Sequence, residues 1–282
     1  METRGLILLT SGCLSALLTV SCAGVGAHKT PEAPTPAKAR APYTPPELQT
    51  KDWNNYLFGN TAPLIKEKKY DQALTRLDWF WNHILEHEPA MYGVRLSFCL
   101  GVWKDLADVY PPALAELKQL RDGAEKKALQ GDTQAFAEAV NLNRTLKEST
   151  RTVELFKKLD KTQPELAKKM WHFADMTLIE HNEYALSLKY GPTLEKRWST
   201  IQERMKKELT LDYAKTILSL SGGASSPEKL KAFQKNMVRY YRNMEVAPLV
   251  RLCGATGKKK LAAEIETQFN AMVKPIVGNS AK

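Results

Sequence analysis

From residue 52 onward apolar residues recur three and four positions apart, and no stretch sustains strand-like alternation between turn residues. The pattern predicts amphipathic helices throughout. Thr61 and Pro63 mark an expected helix start, and a break follows at Lys68 and Lys69. Tyr70, Ala73, Leu74, Leu77, Trp81, Ile84 and Leu85 then form one stripe that ends near Pro89. The segment from Met91 to Tyr110 is apolar on nearly every side, which places it between neighbouring helices. Pro111 and Pro112 open the next helix, with Ala113, Leu114, Leu117 and Leu120 on its stripe, and Gly131 closes that unit.

A third helix pair starts at Asp132 or Thr133, turns near Ser149 and Thr150, and ends at Pro164. A fourth runs through Met170 and Leu178, turns at His181 and Asn182, and reaches Gly191 and Pro192. Beyond it, Leu194, Trp198, Ile201, Met205 and Leu209 make a regular stripe on a long helix that the spacing allows to reach Leu220. A small-residue loop from Ser221 to Ser226 follows, with Ser226 as cap and Pro227 as first helical residue of the next helix. Pro248 and the segment Gly254 to Gly257 interrupt that helix before a last one, Lys258 to Val273.

One string repeats: Tyr70-Asp71-Gln72-Ala73-Leu74 and Tyr110-Pro111-Pro112-Ala113-Leu114 share Tyr-x-x-Ala-Leu. A period of this size points to stacked helical hairpins. Leu100-Gly101 with Tyr110 and Ala113, then Phe156, Leu159 and Pro164, then Trp171, stand where small, aromatic and proline positions recur in tetratricopeptide repeats. Residues 52–192 therefore resemble degenerate tetratricopeptide repeats, and Glu88 to Phe98 is similar to a group of exported bacterial repeat proteins with no assigned activity. The resemblance implies an all-α, antiparallel helix-hairpin solenoid over residues 52–192, extended by a C-terminal helical region over residues 193–282. It carries no site residues with it.

The N-terminus differs in kind. Residues 1–27 have a weakly positive start and a charge-free, mostly apolar run from Gly5 to Val20, the form of a secretory leader. Two processing readings stand. Thr19-Val20-Ser21-Cys22 resembles a lipoprotein box that would leave a lipidated Cys22, and Val25-Gly26-Ala27 is a small-x-small site that would release a chain beginning at His28. The apolar run is short for a membrane span of about 20 residues. Residues 28–51, rich in Pro, Ala and Thr, read as a disordered tether. An exported protein in the periplasm, or anchored facing it, is expected.

Composition is ordinary for a globular protein, with 43% hydrophobic and 26% charged residues. Location makes the charge informative: the net +10 falls in the last 87 residues, which hold 17 Lys and Arg against 7 Asp and Glu. After export this favours an acidic protein face, anionic lipid or envelope polymer over nucleic acid. On the helix after Pro227, Lys229, Lys231, Lys235, Arg239, Tyr240, Tyr241 and Arg242 mix cations with aromatics and form a candidate binding surface. Trp79 and Phe80 are the second candidate, because Trp79 points away from the Trp81 stripe and needs a neighbouring repeat or a ligand. Outside the leader only Cys99 and Cys253 remain, too few for a disulfide scaffold.

Candidate chemistry is sparse. His83-Ile84-Leu85-Glu86-His87 matches the H-x-x-E-H pattern of inverted zinc peptidases, with two imidazoles a helical turn apart, a carboxylate to activate water, and Glu165 as a possible third ligand. The same residues are also the polar face of a helix whose apolar stripe is Leu74, Leu77 and Trp81. Gly254 to Lys259 lacks the glycine spacing and following Ser or Thr of a phosphate loop and reads as a helix stop. The expected function is a non-catalytic protein-binding or scaffolding module of the cell envelope, without a cofactor. A zinc-dependent hydrolase using His83, Glu86 and His87, and an anionic-surface binder acting through the basic C-terminal region, are the alternatives.

Overall fold

Helix ends explain much of the architecture. In the computed structural model, which describes residues 43–220 and 226–278, the chain is all-α and the described residues contain no strand. The first helix begins earlier than Thr61: a π-helical turn, Asn55–Thr61, leads into α1 (Ala62–Lys66). Pro63 thus sits inside a helix. Its ring cannot follow a tight α turn, and the wider turn, closed by the Ala62 N–H on the Leu57 carbonyl, accommodates it.

α2 (Tyr70–His87) is followed by α3 (Tyr92–Val94), a second π-helical turn (Arg95–Cys99) and α4 (Leu100–Ala107), the last three forming one continuous helix. Next come α5 (Pro111–Leu129), α6 (Thr133–Thr145), α7 (Thr150–Thr162), α8 (Pro164–Glu180) and α9 (Tyr184–Tyr190). The C-terminal part comprises α10 (Leu194–Glu208), α11 (Leu211–Leu220), α12 (Pro227–Tyr241), a third π-helical turn (Arg242–Val246), α13 (Ala247–Ala255) and α14 (Lys259–Val277). Pro248 follows the third π turn much as Pro63 follows the first.

Starts and stops are set locally. The Asp132 carboxylate accepts the Ala135 N–H at 2.9 Å, and the Ser226 hydroxyl accepts that of Lys229 at 3.3 Å, as expected of N-caps. Lys68, Gly131, Lys147, Asn182 and Gly257 each adopt positive φ just past a helix. In every case the following N–H reaches five residues back, as from Lys69 to Leu64, Glu148 to Asn143 and Lys258 to Cys253. This Schellman closure satisfies orphan carbonyls and reverses the chain in a few residues. The stripe after Leu194 does not stay on one helix. It breaks at Leu209 and Thr210, where the Gln234 amide donates to the Leu209 carbonyl at 2.6 Å and the Thr210 hydroxyl accepts the Tyr213 N–H.

Helices pack pairwise. α5 lies against α6, α7 against α8 and α8 against α9, while α6 also touches α4 and α8, and α5 touches α7. Beyond α9, α13 packs on α8, α10 and α14. One apolar core extends from Trp53 to Leu178; a second gathers Trp198, Ile201, Met205, Tyr241, Leu252 and Phe269. Cys99 lies in the first and Cys253 in the second, both as free thiols, and burial pushes Cys99 up to about 12.

Arginine ion pairs tie the helices together. Arg95 is buried, donates to the Trp81 carbonyl at 2.6 Å and pairs with Glu138 of α6 at 2.8 Å. Arg121 of α5 pairs with Glu148, Arg151 of α7 reaches Glu125 of α5 at 2.6 Å, and Arg197 of α10 pairs with Asp175 of α8 at 2.6 Å.

Two further expectations are corrected. Residues 43–51 are not part of a disordered tether: Glu47 is buried, accepts from Arg76 at 2.6 Å and from Asn60 at 2.6 Å, and Arg76 also donates to the Tyr43 hydroxyl. Trp79 and Phe80 do not form a binding surface. They are 8% and 0% exposed, with Trp79 stacked on Trp53 at 6.0 Å and Phe80 against Tyr56 at 5.5 Å. The upstream helix turn supplies the neighbour that the second apolar face required. The leader, Cys22 and residues 28–42 lie outside the described residues.

Candidate binding groove

A hollow of about 490 Å³ opens where α6 and α8 meet α10 and the helix through the third π turn. The α6 face contributes Asn141 and Arg144; α8 contributes Trp171, His172, Phe173, Asp175 and Met176. Arg197 and Arg204 enter from α10, and Tyr240, Met244 and Glu245 from the opposite side. Tyr240 is 46% exposed and Met244 39%, so apolar surface here faces water. The π turn carries Met244 and Glu245, and such turns offset the side chains of a helix from their usual register.

The floor is rigidly held. The Trp171 indole N–H donates to the Ser187 carbonyl at 2.9 Å, and the Arg197 guanidinium donates to the same carbonyl at 2.8 Å while lying 4.9 Å from the Trp171 ring centroid. The Ser187 hydroxyl and Arg197 both donate to Asp175. Burial pushes the Asp175 carboxyl above its ordinary range, against the lowering effect of Arg197 and these hydrogen bonds. Gly191 permits the arrangement. A Cβ there would stand 2.5 Å from the Trp171 ring, 2.1 Å from the Arg197 guanidinium and 2.8 Å from the Ser187 carbonyl oxygen.

Charge in the groove is unequally compensated. Arg197 is paired with Asp175, and Arg204 with Glu245 at 2.7 Å. Arg144 is exposed and has no ion-pair partner among the described residues. It also borders a second, smaller hollow of about 370 Å³, formed with Leu96, Leu100, Gly101 and Lys104. One guanidinium therefore stands between two depressions along the same face. An arginine keeps its proton at any ordinary pH, so it holds anions rather than exchanging protons.

The other candidate residues are not brought to this groove as a group. Of the α12 set, Tyr240 alone lines it; Lys229, Lys231, Lys235 and Arg239 are exposed on α12. Tyr241 is buried, with its hydroxyl donating to Glu208 at 2.5 Å, so it belongs to the core and not to a surface. Arg242 is half-buried and pairs with Glu266. His83 and Glu86 make an exposed contact at 3.4 Å, while the His87 ring stacks on Trp79 at 5.7 Å. Among the described residues no group of three His, Cys, Asp or Glu side chains is placed to hold a metal ion, and Glu165 lies on the first turn of α8. Also among them, no helix is long and apolar enough to cross a membrane.

Arg144, Arg197 and Arg204 carry no sequence pattern, and Trp171 is marked in the sequence as a repeat position and not as a site residue. The run Trp171-His172-Phe173 was the available signal, since three rings in succession must place one off the buried stripe. No protein-family model, curated protein or solved structure matches this chain.

Proposed function

We propose that this chain is an exported, non-catalytic binding module whose groove takes an acidic, partly apolar segment of a protein partner. The observation that carries the reading is Arg144: an exposed guanidinium without an ion-pair partner among the described residues, set between two hollows and beside Trp171, Tyr240 and Met244. Aromatic and thioether surfaces supply contact area, and an unpaired cation supplies selectivity for a carboxylate. The alternating contacts of α4, α6 and α8 on one side and of α5 and α7 on the other support a degenerate tetratricopeptide-like solenoid over residues 52–192. The leader form of residues 1–27 supports export, with a lipid on Cys22 as the anchor.

Fluorescence anisotropy with labelled peptides tests the reading. A peptide alternating Glu with Leu and Phe should bind, weaken as salt is raised, and lose binding to Arg144→Glu with the helical circular dichroism unchanged. Equal binding of a Lys-containing counterpart, or unaltered binding by Arg144→Glu, would overturn it.

A further inference from the structure

The C-terminal helices line a different, open hollow, of about 680 Å³, where the end of α10, the start of α11, the first turns of α12 and the last turns of α14 meet. Leu209, Leu211, Met272 and Ile276 are among its apolar walls, and Leu211 is 52% exposed. Lys206 and Lys231 line the same hollow, and no carboxylate does. Neither lysine has an ion-pair partner among the described residues.

The chemistry of the walls selects the kind of ligand. A peptide would bring backbone amides that need partners, and unpaired amides buried in apolar surroundings are costly. The Gln234 amide at this site is already engaged by the Leu209 carbonyl at 2.6 Å. A hydrocarbon chain needs no such partners. Its burial is favoured in proportion to the apolar area removed from water, and the two ammonium groups complement a single anionic head.

We propose that this hollow binds a single-chain anionic amphiphile of the fatty-carboxylate type, with the hydrocarbon against Leu211, Met272 and Ile276 and the head between Lys206 and Lys231. The site is separate from the Arg144 groove, and either assignment can stand without the other.

The test is displacement of a fluorescent fatty carboxylate from the full chain, below micelle-forming concentrations, by dodecanoate, dodecanol or inorganic phosphate. Dodecanoate should displace the probe, dodecanol should be about tenfold weaker or worse, and phosphate should not compete. The double variant Lys206→Glu/Lys231→Glu should weaken dodecanoate by about tenfold or more, and Met272→Trp, which fills the hollow, should abolish probe binding. Failure of dodecanoate to displace the probe, equal potency of dodecanol, or competition by phosphate alone would each overturn the proposal on the unaltered protein. Unchanged affinity in either folded variant would overturn the location.

Discussion

The ring of Tyr70 stacks on that of Tyr110, with centroids 5.4 Å apart and planes 29° from parallel, and the Tyr110 hydroxyl also reaches Asp71. The two copies of the Tyr-x-x-Ala-Leu string thus meet at their first residues, joining the start of α2 to the start of α5. A double-mutant cycle on Tyr70→Ala and Tyr110→Ala, read from urea unfolding, should give a coupling of about 0.5–1.5 kcal/mol. Strict additivity would show that the rings only share space.

Gly191→Ala should harm the Arg144 groove out of proportion to its size. The Arg197 side chain can swing away from a new methyl group, but the Ser187 carbonyl oxygen, 2.8 Å from it, is main chain. A loss of about 1–3 kcal/mol is expected from overpacking, together with weakened binding of acidic peptide. Wild-type stability in thermal and urea unfolding would show that the loop relaxes freely.

Glu138→Ala removes the 2.8 Å ion pair of the buried Arg95 guanidinium, which keeps its bond to the Trp81 carbonyl and its place 4.0 Å from the Trp81 ring. A buried charge stripped of its counter-ion typically costs about 3–5 kcal/mol. The unfolding midpoint should fall accordingly. Arg95→Met/Glu138→Leu, which removes both charges, should recover much of the loss.

The Glu47 link predicts an acid-sensitive N-terminal strap. Burial alone would raise this carboxyl, yet hydrogen bonds from Asn60 and Arg76 hold it below the ordinary glutamate value of 4.5. A carboxyl depressed in the folded state contributes stability that is complete above its unfolded pKa and lost as pH falls through the lower folded value. Hydrogen-exchange protection of residues 43–51, taken relative to the intrinsic rate at each pH, should therefore be high near neutral pH and fall well below 4.5. In Glu47→Gln the protection should already be low near neutral pH, with a weaker pH dependence.

Lys147 follows α6 with φ of 58°, a conformation that a side chain resists and glycine does not. Lys147→Gly should stabilise the protein by up to about 1 kcal/mol, because the Glu148 N–H to Asn143 carbonyl bond remains available. Chemical denaturation decides this, and a destabilised variant would show that lost chain entropy dominates.

Helix starts were legible in the sequence because each rests on one or two residues with local chemistry: Pro111, Asp132, and Ser226 with Pro227. The stops at Lys68, Gly131 and Asn182 were legible as breaks for the same reason. The π turns were not, since a single wider turn leaves the spacing of apolar residues on either side nearly unchanged. Trp79 was placed on the correct helix face, but what covers it, Trp53 and Tyr56, comes from a segment whose helix was expected to begin only at Thr61. The pairing of Arg95, Arg121 and Arg197 leaves no trace in the sequence, because sequence alone does not reveal a carboxylate dozens of residues away. The groove was invisible for the related reason that it lies between elements, and its cation became distinctive only once its neighbours were seen to be paired.

The arginine ties have a consequence for cooperativity. Arg95 to Glu138 and Arg197 to Asp175 each connect helices that are not adjacent along the chain, so fraying from either end strands a largely buried charge before it frees much chain entropy. A stack of hairpins held only by nearest-neighbour apolar contact can unzip one unit at a time. Here, loss of α10 would remove the guanidinium from Asp175 and expose the floor beneath Trp171, coupling the C-terminal helices to the helices before them in one melting transition.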